Sequence, residues 1–178
     1  MTEELLITPP PPITEANTVI LDIPSSGAKQ VAEALGLEHL LVARRGRDIK
    51  KTNREQNIAV FVRNPWERLT VFWDSLKDKQ NLSFKKFLEL LVFAENPLGF
   101  ENQKEWATGP YQFCNHHLSL EQGAKNFANQ LGLEIKEDIS WLDDAEESWR
   151  SYYDEQSFDY VHSIAAGDIF TFGLRKYW

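Results

Sequence analysis

The sequence predicts an α/β fold in which a parallel sheet leads into a mainly helical C-terminal half. Three observations carry that expectation. The runs Thr18–Ile23 and Ile58–Val62 are almost continuously apolar, as strands buried on both faces of a parallel sheet are. The first run is followed by a short Gly-containing turn, a helical apolar period and another strand-like run, which together form a β-loop-α-β unit. Beyond Val62 the apolar residues recur mainly at helical spacing.

Taken in order, residues 1–17 form a polar arm containing Pro9, Pro10, Pro11 and Pro12, a stretch that favours polyproline II. A single domain is expected over residues 18–178. After the Thr18–Ile23 strand comes the turn Pro24-Ser25-Ser26-Gly27. Ala28, Val31, Ala32 and Leu35 then mark one helical face, and Gly36 supplies the stop. His39–Ala43 reads as the second strand, reached by a crossover expected to be right-handed. Ile58–Val62 is the third. Asn64 suits an N-cap, Pro65 the first helical position and Glu67 the third, with Trp66, Leu69, Trp73 and Leu76 on one face. Ser83 caps a helix carrying Phe84, Phe87, Leu88 and Leu91. Residues 94–116 read as a long irregular loop over the sheet edge. Ser119 and Gln122 open a further helix that ends at Gly132, and a last helix runs from about Asp154 to Ala166.

Composition narrows the function classes. The 42% apolar fraction, six Trp and eleven Phe call for a folded protein. The single cysteine, Cys114, permits no internal disulfide and fits a reducing compartment. No apolar run approaches the ~20 residues of a membrane span, and the acidic N-terminus does not read as a signal peptide. The expectation is a cytoplasmic protein with no membrane association. A net charge of −8 argues against nucleic acid as a partner. The charge is uneven, however. Residues 44–54 carry Arg44, Arg45, Arg47, Lys50, Lys51 and Arg54 against Asp48 alone, a net +5 that leaves −13 for the remainder. The segment reads either as a solvated loop or as a surface approached by a polyanionic donor or acceptor.

Two segments carry chemistry. Arg63 follows a core strand directly and stands beside a helix N-terminus, the edge where open α/β sheets bind ligands and where anions are favoured. It anchors an anion there, or it merely pairs with a surface carboxylate. The loop Ile23-Pro24-Ser25-Ser26-Gly27-Ala28-Lys29-Gln30 joins a strand to a helix start, an arrangement that presents backbone N–H groups to phosphate. It lacks the Gly-Lys-(Ser/Thr) of a Walker A loop, which argues against a nucleotide kinase.

The strand followed by Arg63-Asn64-Pro65-Trp66-Glu67-Arg68-Leu69 resembles the second signature of the carbohydrate-type sulfotransferases, Arg-(Asp/Asn)-Pro-(aromatic)-Glu-Arg-Leu. The loop resembles their first, Ile-Pro-Lys-(Thr/Ser)-Gly-(Gly/Ser)-Thr-Ser, matching at Ile23, Pro24, Ser26 and Gly27. Leu120-Glu121-Gln122 through Leu131-Gly132-Leu133 is similar to their later helix. Ser151-Tyr152-Tyr153-Asp154-Glu155 with Asp168-Ile169-Phe170-Thr171-Phe172-Gly173 is similar to their closing segment, whose residues look structural.

The resemblance implies a three-layer, P-loop NTPase-like sheet and transfer of a sulfuryl group from adenosine 3′-phosphate 5′-phosphosulfate, without a metal, to a hydroxyl or amine acceptor such as a carbohydrate. It implies donor contacts from Pro24, Ser25, Ser26, Gly27, Ala28, Lys29, Gln30 and Arg63, with Thr70 and Val71 around the position of a 3′-phosphate-binding serine. Ser25 stands where the family has its catalytic lysine, and Lys29 and Gln30 replace its Thr-Ser pair. Lys29 either reaches back to supply that cation or is an ordinary exposed helix residue. Val71 occupies the serine position. A relative that has lost turnover and serves as a nucleotide- or glycan-binding module is the alternative these departures suggest.

Sulfuryl transfer also needs a base for the acceptor proton. His116 and His117, near Pro110-Tyr111-Gln112, are the candidates; His162 reads as structural, and His39 belongs to the wrong end of its strand. The adjacent histidines lack a partner at metal-ligand spacing, so no metal is expected. Trp66 and Trp73 read as core, whereas Trp106 and Tyr111 read as stacking surfaces for a ligand.

Overall fold

The computed structural model describes residues 12–94, 98–115, 119–143 and 148–174. Its centre is a four-stranded, all-parallel sheet of β1 (Thr18–Leu21), β2 (Leu41–Val42), β3 (Asn57–Val60) and β4 (Phe113–Cys114), in the order β2-β1-β3-β4. The sheet is buried on both sides because, after Thr18 and Asn57 at their starts, its two central strands β1 and β3 are apolar throughout, and successive side chains feed opposite cores. Ile20, Ala59 and Phe61 point to one face, where α1 (Ala28–Leu35) and α6 (Leu120–Leu131) cover them with Val31, Ala32, Ala124 and Phe127. Val19, Leu21, Ile58, Val60 and Val62 point to the other, which receives Ile49 of α2 (Gly46–Thr52) and Phe172 of α8 (Ala166–Phe172). This is a three-layer α/β arrangement.

A third core lies beside the sheet. The helix α3 (Pro65–Gln80) packs Trp66 and Leu69 against α4 (Phe84–Phe93) and α7 (Glu155–Ile164), through Phe87, Leu88, Phe158 and Val161. Trp66 is 1% exposed, stacks on Phe158 at 4.7 Å and donates its indole N–H to the Phe158 carbonyl at 3.1 Å. His162 meets the same indole edge-on at 5.2 Å, a packing role.

Local chemistry sets the helix ends as the residue types lead one to expect. The side chains of Asn64, Ser83 and Ser119 accept from the N–H groups of Trp66, Lys86 and Gln122. Gly36 and Gly132 end α1 and α6 in the left-handed conformation.

Three expectations about elements need correction. The basic segment is not a loop. Residues 46–52 form α2, because Ile49 is 4% exposed against the sheet while Arg47 and Lys51 face solvent, which makes an amphipathic turn. His39 lies in a 3-10 turn, Glu38–Leu40, and the strand begins after it. Residues 94–116 are not wholly irregular either. They contain α5 (Gln103–Trp106) and β4, the latter held by Phe113 between Phe61 and Phe127 at 5.4 and 4.9 Å. A two-residue strand has no periodicity to read. Trp106 and Tyr111 pack against the core below α2 and α8.

The strand order has a functional consequence. The chain leaves β1 toward β2 and leaves β3 toward β4, so the two connections diverge at the carboxyl ends of adjacent strands. Ligands of open α/β sheets bind at such a switch point, and here the segments that leave the two strand ends are residues 22–27 and 61–64.

The Asp154 side chain accepts from the Ser157 N–H at 2.7 Å and caps α7. These bonds from Ser157 hold its carboxyl below the ordinary 3.8. A lowered carboxylate pKa contributes stability that is present above the unfolded value and lost as pH falls through the folded one. Asp154→Ala is therefore expected to lower the urea midpoint at neutral pH, and the gap from wild type should narrow as pH falls through the lowered folded-state pKa. A gap that persists into strong acid would contradict the cap.

Candidate functional site

The loop after β1 is folded back on itself. The Ser26 N–H donates to the Ile23 carbonyl at 3.1 Å, and Ser26 Oγ accepts from the Ala28 N–H at 3.2 Å. Ser25 adopts φ +61 and Gly27 φ +91, two left-handed residues that turn the chain into α1. Gly27 is the N-cap and offers no side chain to the first turn. Lys29 and Gln30 are exposed on that turn, and Ala28 is buried in the core. A helix start of this kind is electropositive.

Arg63 comes to the same place. A Cβ at Gly27 would lie 3.0 Å from Arg63 Nη2 and 2.3 Å from Leu120 Cδ1, so the guanidinium rests directly on the glycine. Glycine is required there by the backbone and by the contact together. Arg63 is 5% exposed. Its Nε stands 3.5 Å from Glu67 Oε1, an ion pair too long for a hydrogen bond at that atom, and Nε is buried without an acceptor among the described residues. An unsatisfied buried donor of this kind costs about 1–3 kcal/mol unless something else meets it.

The backbone of Arg63 is held by side chains. Past Val60 the sheet ladder has ended, and the Val62 N–H donates to Asn115 Oδ1 at 2.6 Å. Gln103 then clamps Arg63 at both backbone groups, accepting from its N–H at 2.9 Å and donating to its carbonyl at 3.0 Å. The Gln103 amide also donates to Asp168 Oδ2 at 3.3 Å. Asp168, 0% exposed, accepts the N–H groups of Gln103 and Lys104 at 2.9 and 2.8 Å and so caps α5. Burial nonetheless raises its carboxyl above the ordinary 3.8.

Arg68 completes the cluster. Its Nε donates to the Pro24 carbonyl at 3.0 Å, and Nη1 donates to the Glu101 carbonyl at 2.8 Å and lies 3.7 Å from Asp168 Oδ2. The guanidinium sits 4.5 Å over the Phe100 ring. Burial lowers its pKa from 12.5 to about 10, against the opposing pull of Asp168, and the Arg63 charge pushes the same way as burial. The basic segment reaches Glu101 too, through Arg45 Nη2 on its Oε1 at 2.8 Å.

The structure thus sets the Arg63 guanidinium on Gly27, at the end of the turn of Pro24, Ser25 and Ser26, whereas Ala28 is buried in the core and Lys29 and Gln30 are exposed on the first turn of α1. Thr70 and Val71 lie farther along α3. The Thr70 hydroxyl donates to its own helix at the Glu67 carbonyl, 2.7 Å away. Val71 lines a cleft of about 210 Å³ with Trp73, Asp74, Trp149 and Tyr152. His116 and His117 fall outside the described residues. Clefts of about 400 Å³ beside β4 and about 570 Å³ between the ends of α1 and α6 have none of residues 22–30 or Arg63 in their linings. Among the described residues no group of three His, Cys, Asp or Glu side chains is placed to hold a metal, and no helix is long and apolar enough to cross a membrane.

Gln103, Asn115 and Asp168 are the site's supports that the sequence did not mark as such. Asp168 stood in a segment read as structural, while Gln103 and Asn115 lay in a stretch read as loop. Neither carried a local signal. Comparison with protein-family models, curated proteins and solved structures finds no match for this chain.

Gly27→Ala should lower stability by about 2 kcal/mol, from the strained φ and the displacement of Leu120 and Arg63. Urea unfolding measures it, and an unchanged midpoint would show that the guanidinium does not rest on Gly27.

Proposed function

We propose that this chain is a sulfotransferase-like protein of the P-loop α/β type that binds adenosine 3′-phosphate 5′-phosphosulfate at the β1–β3 crevice. The observation supporting this is the pairing of a buried, incompletely satisfied Arg63 guanidinium with the start of α1, whose N-cap, Gly27, brings no side chain. An N-terminal helix dipole and a fixed arginine meeting at a switch point form an anion site, and a phosphate oxygen supplies the acceptor that Arg63 Nε lacks. Glu67 reduces the local charge and keeps the guanidinium oriented before the anion arrives.

In the proposed reaction an acceptor hydroxyl or amine attacks sulfur, and the bond from sulfur to the bridging oxygen breaks. Adenosine 3′,5′-bisphosphate departs as the acceptor proton passes to a base. Charge grows on the bridging and leaving oxygens, where backbone N–H groups of the α1 turn and the Lys29 ammonium would stabilise it. His116 and His117 remain the proposed bases.

A second reading has its own support. Ser25 brings a hydroxyl where the resemblance implies a lysine, and Val71 brings none where it implies a serine. On that reading the chain keeps the nucleotide and does not turn it over.

Calorimetric titration with adenosine 3′,5′-bisphosphate at low salt tests the shared claim. Wild type should bind in the micromolar range. Arg63→Gln, with its fold checked by circular dichroism, should bind at least about tenfold more weakly. Equal binding by a folded Arg63→Gln would overturn the site. Turnover dependent on Lys29 separates the enzyme from the binding module.

A further inference from the structure

We propose that Gln103 is a positioning residue for Arg63, and that Gln103, Asp168 and Arg68 together set the register between the two lips of the anion site. The inference rests on the donor-binding reading above and adds to it the device that presents the arginine.

Arg63 lies beyond the hydrogen-bonded part of β3, where no strand among the described residues pairs with its backbone. Gln103 substitutes for that strand. A side-chain amide that accepts from the N–H and donates to the carbonyl of one residue fixes both flanking peptide planes, and hence the direction in which Cβ leaves the backbone. Gln103 is 0% exposed and has no freedom of its own, because its N–H and its amide both donate to Asp168 Oδ2. The same carboxylate faces Arg68, whose Nε holds the Pro24 carbonyl. Both lips are therefore referred to one buried oxygen.

A network of this kind would also exist for stability alone. The two roles differ in a measurable way. A positioning residue acts through Arg63, so its effect on ligand binding must vanish once the Arg63 guanidinium is gone.

The experiment is a double-variant cycle of Gln103→Met and Arg63→Gln in the full chain, titrated with adenosine 3′,5′-bisphosphate at a temperature where every variant is folded. Gln103→Met should bind roughly tenfold more weakly than wild type, and the double variant no more weakly than Arg63→Gln alone. Val161→Ala, a cavity in the third core, controls for lost stability and should bind as wild type does. If Gln103→Met does not fold, Arg68→Lys runs the same cycle from the loop side with the same non-additivity expected. Wild-type affinity in a folded Gln103→Met, or effects that add across the cycle, would overturn the positioning role while leaving the donor site standing. Absence of binding by wild type would overturn both.

Discussion

The Asp168 carboxylate is the interaction on which this architecture most depends. It is buried among three N–H donors and a guanidinium, and it joins α8 to α5, to the end of β3 and, through Arg68, to the loop after β1. Burial raises its carboxyl pKa and lowers that of Arg68, the signature of two charges held out of water by their surroundings. Removing one member of such a pair is far more damaging than replacing both, because the remaining charge is stranded. The contact is therefore a constraint more than a source of stability. It fixes where the segments that flank the crevice can lie.

Given that constraint, the electrostatics of the crevice follow. Two guanidiniums and a helix start converge at the edge where the strand connections diverge. In a chain carrying −8 overall, each of these guanidiniums is faced by a carboxylate, Glu67 for Arg63 and Asp168 for Arg68. Arg68 is consumed by the protein: its donors meet Pro24 and Glu101, and its face covers Phe100. Arg63 is not so consumed. Two arginines five positions apart thus differ: Arg68 spends its donors on backbone carbonyls, whereas Arg63 rests on Gly27 with its Nε unmatched among the described residues.

Much of the fold could be read from residue order. Buried strands announced themselves by unbroken apolar runs, and Asn64, Ser83, Ser119, Gly36 and Gly132 marked helix ends by chemistry that acts within one turn. What could not be read depends on distant partners. The strand Phe113–Cys114 exists because Phe61 and Phe127 leave a slot for one ring, and α2 exists because Ile49 finds the sheet. The site divides the same way. Gly27 and Arg63 lay in recognisable contexts, a strand-to-helix turn and a strand end. Gln103 and Asn115 are amides that hold backbone groups 40 and 53 positions away.

The most direct test of the anion site is a nuclear magnetic resonance titration that follows the Arg63 Nε–H together with the backbone amides of Gly27, Lys29 and Gln30 as adenosine 3′,5′-bisphosphate is added. The account predicts that these signals shift together and saturate with one dissociation constant, the Nε–H moving downfield as it gains an acceptor. Shifts confined to the clefts beside β4 or α3, with Arg63 unmoved at saturation, would contradict it.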